Sequence, residues 1–133
     1  MRLIKLTLAC LAILALIVAA VPGTCAATTA NEVFICTFQD GKTMDDLMKV
    51  VDQWKPVING MKGGDSYSAN ILTPIASQNL ASVIWVGQSS DAAILGSLTD
   101  QYEASEAGRD ISKKFQEVIN CESRSIWRVH NVK

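Results

Sequence analysis

The 133-residue chain is poor in the residues from which most enzyme sites are built. It contains a single histidine, His130, only four cysteines, and no cluster of lysine and arginine residues. One histidine with a few cysteines at no recognisable spacing does not supply the ligands of a zinc site, so we predict no bound metal. Without a basic patch, nucleic acid is not an expected partner.

Sequence motifs for common catalytic chemistries are missing as well. The glycines within residues 60–64 follow a predicted helix instead of preceding one, which is typical of a turn and not of a phosphate-binding loop. Asp45, Asp46 and Asp91 occur where acidic residues favour helix starts. No nucleophile elbow surrounds a serine, although a serine–histidine–acid arrangement with His130 stays open. The motifs therefore name no catalytic residue and no cofactor.

The N-terminus carries the one long apolar run. Arg2 and Lys5 precede an apolar stretch over residues 6–21, and small residues follow it around Ala27. This order is typical of a cleaved signal peptide. We therefore predict a signal peptide over residues 1–26 and an exported protein that is periplasmic or extracellular.

Two other interpretations of this segment stay open. An uncleaved membrane anchor would need a longer run than one that ends at Pro22-Gly23. A lipid anchor would use Cys25, but the residues before Cys25 match such a site poorly. Cleavage leaves residues 27–133 as a single domain, with no membrane association expected.

The mature domain keeps two cysteines, Cys36 and Cys121. It also keeps ten basic and thirteen acidic residues, a formal charge of −3 that is ordinary for an exported protein. In an oxidising compartment two cysteines favour one disulfide. Two free buried thiols and a metal site are the alternatives.

Hydrophobic periodicity predicts four strands and two helical segments. Thr43 caps the first helix together with Asp46, and Pro56 is expected to kink or restart that helix. The second helical segment is expected to break over residues 103–108 and to restart at Asp110. In chain order the predicted elements are a strand over 33–38, a helix from 43 to about 58, strands over 66–74 and 81–87, a helix from 90 or 91 to 119, and a strand over 121–129.

This order predicts an α+β fold with the ferredoxin-like βαββαβ plan, a four-stranded antiparallel sheet with helices on one face and strands one and three in the centre. Both central strands are apolar on both faces. Since the helices cover only one face, we predict a sheet-to-sheet homodimer. In this plan strand four lies antiparallel to strand one, so Cys121 falls near Cys36 and a disulfide between them is geometrically feasible.

In element order, two-faced central strands and a split second helix, the chain resembles the dimeric α/β-barrel superfamily, which includes the antibiotic-biosynthesis-monooxygenase-like proteins. The resemblance implies sheet-mediated dimers with a pocket for a small organic ligand between sheet and helices. It places Asn70, Trp85 and Tyr67 as candidate pocket residues. Haem degradation, known in some members, is not expected because residues 91–119 contain no histidine.

Three functions follow from this resemblance and from the residues. The first is a binding module whose pocket holds a small, largely apolar or aromatic molecule without turnover, favoured because few ionisable residues fall in the core pattern. The second is a cofactor-independent monooxygenase-like enzyme acting on an aromatic or quinol substrate. The third is a domain that only oligomerises. The sequence therefore does not decide whether the protein is an enzyme, and it favours binding without turnover.

Overall fold

The computed structural model describes residues 29–130 and residue 132. The predicted signal peptide, and with it the first residues of the predicted mature domain, lie outside the described residues. In the described part of the chain no helix has the length and apolar character needed to cross a membrane. Eight elements follow one another: β1 (Ala30–Phe38), α1 (Met44–Asn59), a short 3₁₀ turn (Gly64–Ser66), β2 (Ser68–Leu72), β3 (Ser82–Ser89), α2 (Ala92–Ala104), α3 (Glu106–Val118) and β4 (Ile119–Arg128).

The four strands form one antiparallel sheet in the order β2-β3-β1-β4. This is the predicted α+β, ferredoxin-like arrangement, with β1 and β3 in the centre. One face of the sheet packs on the helices through alternate residues of the central strands. Cys36, Leu47, Val83, Trp85 and Ile111 form the centre of this core and are all buried.

The helix ends are set by capping residues. At the start of α1 the Asp46 backbone N–H donates to the Thr43 hydroxyl, and the Thr43 N–H donates to the Asp46 carboxylate, as predicted. The Thr43 hydroxyl and backbone N–H, and Lys49 beside them, lower the pKa of the Asp46 carboxyl below its usual value. Asp91 caps α2 by accepting from the Ile94 N–H at 2.8 Å. These caps confirm that the acidic residues at helix starts serve the helices.

Two boundaries differ from the sequence prediction. The predicted restart at Pro56 is wrong, because α1 runs through Pro56 to Asn59. Pro56 lies on the exposed side of α1, where water can satisfy the carbonyl that loses its helical partner. The break in the second helical segment falls at Ser105, within the predicted range, but the helix restarts at Glu106 and not at Asp110, since the Ser105 hydroxyl accepts from the Gly108 N–H at 2.9 Å and starts α3.

Strand β4 contains one extra residue. Cys36 pairs with Cys121 and Ile35 pairs with Ser123, so Glu122 has no partner in β1 and forms a β-bulge. A bulge inverts the alternation of the residues that follow it. Arg124 therefore lies opposite Phe34 on the face that carries the helices, which is also the face of Cys121.

The disulfide predicted as one of three alternatives is confirmed, since Cys36 and Cys121 are bonded. They join the neighbouring strands β1 and β4 across 85 residues of chain. Cys36 is buried, whereas Cys121 is exposed at the edge of the sheet. The bond therefore fixes the edge strand to the core.

Candidate functional site

A cavity of about 690 Å³ lies between the helices and the face of the sheet that they cover. Aromatic and aliphatic side chains make up most of its wall, and the exposed residues Gln39, Glu103 and Gln116 border it where it meets solvent. Its volume is in the range of small-molecule sites. The apolar wall includes Phe34, Trp54, Trp85, Leu98, Tyr102 and Phe115.

Edge-to-face contacts hold the aromatic residues of this wall. The Trp85 ring lies 4.9 Å from the Trp54 ring and 5.9 Å from the Phe115 ring, both nearly perpendicular to it. Tyr67 packs against Trp54 at 5.8 Å. Such pairs are favoured by the ring quadrupoles and restrict the rotamers of their members. These contacts therefore fix the aromatic side chains of the cavity wall relative to one another.

One wall of the cavity holds a polar cluster that crosses three strands and one helix. Glu32 of β1 is only 7% exposed, and its carboxylate accepts from the Tyr67 hydroxyl. Its other oxygen accepts from Arg124 Nε at 3.2 Å and Nη2 at 3.0 Å. Arg124 Nη2 also donates to the Thr99 hydroxyl at 2.8 Å, and Trp85 Nε1 donates to the Tyr67 hydroxyl at 3.0 Å. The buried carboxylate is thus paired with a cation, as a charge in such a position requires.

The tyrosines of the cavity stay protonated at neutral pH. Burial raises the pKa of Tyr67 far above its ordinary value, and the neighbouring Glu32 carboxylate raises it further. Burial also raises the pKa of Tyr102. Tyr67 therefore acts as a hydrogen-bond donor to Glu32 and not as a phenolate base.

Gly87 makes room for this cluster. A Cβ atom on Gly87 would lie 1.9 Å from the Tyr67 hydroxyl oxygen and 2.9 Å from Cγ of Glu32. Any side chain here would push the Tyr67 hydroxyl away from the carboxylate. Glycine at this position is required by close approach and not by backbone conformation, because its φ is not positive.

The structure brings together two of the three predicted pocket residues. Tyr67 and Trp85 both line the cavity and are hydrogen-bonded to each other. Asn70 does not join them, because it pairs with Val86 on the opposite face of the sheet and is exposed. It borders only a smaller cavity of about 400 Å³ between α1 and β2. His130 follows β4 and is exposed.

Glu32 and Arg124 were missed by the sequence prediction. Glu32 alternates with Phe34 and Cys36, so a carboxylate at an inward position of a central strand was a signal that could have been used. The predicted strand began at Val33 and left Glu32 outside it. The position of Arg124 could not be predicted from the sequence, because without the bulge at Glu122 the alternation of β4 places Arg124 on the other face.

The donor groups of the site do not suggest a metal. Within residues 29–130 no group of three or more histidine, cysteine, aspartate or glutamate side chains is placed to hold a metal ion. Glu32 already accepts hydrogen bonds at both oxygens, and both cysteines are in the disulfide.

No family model and no curated protein matches the chain. Solved structures do match. SnoaB, a cofactor-independent oxygenase from Streptomyces nogalater, aligns with a TM-score of 0.60 at 9% identity over 80% of this chain and 97% of its own. The hydroxynitrile lyase from Passiflora edulis aligns with a TM-score of 0.54 at 7% identity over 80% of this chain and 98% of its own.

At these identities the likeness concerns the fold alone. It confirms the ferredoxin-like α+β fold, and at that level it fits the predicted resemblance to the dimeric α/β-barrel and antibiotic-biosynthesis-monooxygenase-like proteins. Because the two relatives have different activities, the fold does not choose between functions.

Proposed function

We propose that the protein is an exported homodimer whose cavity binds a small, largely apolar molecule without turning it over. The observation that carries this proposal is the aromatic-walled cavity of about 690 Å³ between sheet and helices. Tyr67 and Trp85 are the predicted pocket residues that line it. A mostly apolar wall with a few polar groups is typical of a binding site for a small organic molecule.

The polar cluster supports binding over catalysis. Glu32 is the only buried carboxylate among the described residues, and hydrogen bonds from Tyr67 and Arg124 occupy both its oxygens. These contacts hold the carboxylate in one position, with both oxygens bonded to protein groups. The cluster is therefore better suited to orienting a ligand than to transferring protons.

The uncovered face of the sheet supports the homodimer. Ile35, Leu72 and Trp127 lie on it with 46%, 50% and 59% of their surface exposed. Monomeric proteins rarely leave such a patch in water, and a second copy of the same face would cover it. Sedimentation of the mature domain should give a dimer at micromolar concentration, and a monomer at that concentration would contradict this part of the proposal.

The disulfide supports export. Structural disulfides form and persist in oxidising compartments, whereas cytosolic thiols are kept reduced. Cys36–Cys121 links an edge strand to a central strand and is built into the cavity wall. Amino-terminal sequencing of the protein recovered from periplasm or medium should begin near Ala27, while a chain recovered with Met1 intact would contradict cleavage.

Native mass spectrometry tests the binding function directly. The protein, purified from its own periplasm or medium without denaturation, should carry an added mass that organic solvent removes. A Trp54→Ala and Trp85→Ala double variant should lose that mass, because it removes both tryptophans of the aromatic wall. Protein that is free of added mass, and that binds no member of an aromatic compound library, would contradict the proposal.

A cofactor-independent oxygenase is the second candidate. It is favoured by the buried carboxylate of Glu32 beside Trp85 in an aromatic cavity, which could accept the proton of a phenolic or quinol substrate. The likeness to SnoaB adds a fold-level analogy. Oxygen uptake with a panel of quinols and phenols, lost in Glu32→Gln and Trp85→Phe variants, would favour this function over binding alone.

A further inference from the structure

Glu32 has one unused acceptor position at the cavity wall. A carboxylate offers about four lone-pair positions on its two oxygens. Oε2 accepts two hydrogen bonds from Arg124, whereas Oε1 accepts only the Tyr67 hydroxyl among the described residues. Because Glu32 lines the cavity, this remaining position on Oε1 is available to a ligand.

Tyr67 offers an acceptor as well. Its only hydrogen is donated to Glu32, and its oxygen accepts from Trp85 Nε1. The part of a ligand that touches Glu32 and Tyr67 therefore meets hydrogen-bond acceptors and no free donor.

The unused acceptor position lies beside both a positive and a negative side chain. Arg124 and Glu32 form an ion pair with a distance of 3.0 Å between Nη2 and Oε2. A ligand carboxylate brought to Glu32 would be repelled by it, and a ligand ammonium would be repelled by Arg124, in surroundings that screen charge poorly. The cluster therefore disfavours either ion.

We propose that the cavity selects neutral molecules that combine a flat apolar body with one hydroxyl or N–H donor, and that Oε1 of Glu32 accepts the hydrogen bond. This inference rests on the proposed binding function and names its ligand class. The aromatic wall binds the body, the unused acceptor binds the donor, and the ion pair sets the requirement for neutrality.

Four probes with the same ring system test the selection. Isothermal titration calorimetry at about pH 7 compares β-naphthol, its methyl ether, β-naphthoate and β-naphthylmethylammonium. The naphthol should bind at least about tenfold more tightly than the ether, because only the naphthol donates a hydrogen bond to a charged acceptor. Both ions should bind more weakly than the ether.

A pair of matched variants assigns the effect to Glu32. Glu32→Gln should reduce the preference for naphthol over its ether to about twofold or less, and should raise the affinity for naphthoate about tenfold because Arg124 loses its neutralising partner. Glu103→Gln makes the same chemical change at an exposed carboxylate that also borders the cavity, and should leave the order of the probes unchanged.

A third variant covers the case in which Glu32→Gln does not fold, as judged by near-ultraviolet circular dichroism. A Glu32→Gln and Arg124→Gln double variant removes both charges together, so neither group is left as an unpaired charge and the domain is expected to fold. It should lose the preference for naphthol over its ether and the extra repulsion of both ionic probes.

The results separate this inference from the proposed function. If naphthoate binds most tightly, if the ether equals the naphthol, or if the preference for naphthol survives in Glu32→Gln, the inference is wrong while the binding function stands. If none of the four probes binds, the inference is wrong, and the native mass spectrum and the aromatic compound library decide the binding function separately. Weak ion binding together with the loss of preference in Glu32→Gln supports the inference.

Discussion

The two faces of the central strands carry similar amounts of apolar side chain but have different surroundings. On one face Phe34 and Trp85 lie under the helices beside the cavity. On the other face their neighbours Ile35 and Ile84 point away from this core; Ile35 is 46% exposed and Ile84 is half-buried. The covered face also holds the ion pair between Glu32 and Arg124 and the disulfide.

This difference indicates that the two faces of the sheet have separate roles. The covered face supplies the cohesion of the single chain and the cavity in which we expect a ligand. The uncovered face adds little to the stability of one chain, and its apolar residues are those that we propose contact a second copy. Substitutions on the two faces should therefore give different kinds of effect.

The same substitution on the two faces should give the largest contrast. Val83→Asp places a charge at a position that is 1% exposed and should cost more than about 4 kcal/mol, enough to unfold the domain. Ile35→Asp should leave the chain folded but monomeric, because a carboxylate on the uncovered face opposes its own copy across the interface. Circular dichroism and sedimentation check the two outcomes. Equal unfolding by both variants would refute the division between the faces.

Removing the disulfide should be the next largest effect. A Cys36→Ala and Cys121→Ala double variant should lose up to about 4 kcal/mol of unfolding free energy, because the bond closes a loop of 85 residues in the unfolded chain. Urea denaturation measures the loss. Reductant should destabilise the wild-type protein to a similar degree and leave the variant unchanged; a wild-type protein indifferent to reductant would contradict the role of the bond.

Two glycine-to-alanine changes should have opposite signs. Gly87→Ala should destabilise by about 1–3 kcal/mol, because the added Cβ atom overlaps the Tyr67 hydroxyl on the covered face. Gly96→Ala is the control, since a Cβ atom there meets nothing within 4 Å and α2 gains a better helix former, worth up to about 1 kcal/mol. Thermal denaturation separates them. Destabilisation by both would show that the overlap at Tyr67 is not the cause.

The smallest predicted effect is the dependence of stability on pH above the ordinary tyrosine pKa. Both tyrosines of the chain line the cavity, and both have pKa values raised above the ordinary 10.0. The folded state therefore binds these protons more tightly than the unfolded state, so their contribution to stability is complete below about pH 10 and is lost as the pH rises above it. At pH 10 the tyrosinate absorbance of the folded protein should be smaller than that of the protein unfolded in urea. Titration of either tyrosine at pH 9 in folded protein would contradict its burial.

The features predicted correctly depend on local patterns or on chain order. Thr43 and Asp46 form a cap within four residues of sequence, and short runs that are apolar on both faces marked β1 and β3 as strands. The pairing of Cys36 with Cys121 followed from the order of the elements. Each of these predictions used either the residue spacing within one segment or the order of the elements along the chain.

The polar cluster could not be predicted in the same way. Glu32 and Arg124 are 92 residues apart in sequence. Their contact depends on the β-bulge at Glu122, which the local sequence pattern does not predict. The position of Tyr67 over Gly87 likewise depends on packing between β2 and β3. At Pro56 the predicted restart is wrong, because the exposed side of a long helix tolerates the lost hydrogen bond.

The bulge at Glu122 has a consequence for recognising related chains. Cys121 and Arg124 are an odd number of residues apart, yet both serve the same side of the sheet because one unpaired residue lies between them. A homologue with a regular last strand should keep both roles only if its cysteine and arginine are separated by an even number of positions. Parity of this spacing, more than identity at single positions, is therefore the criterion by which an alignment should transfer the site.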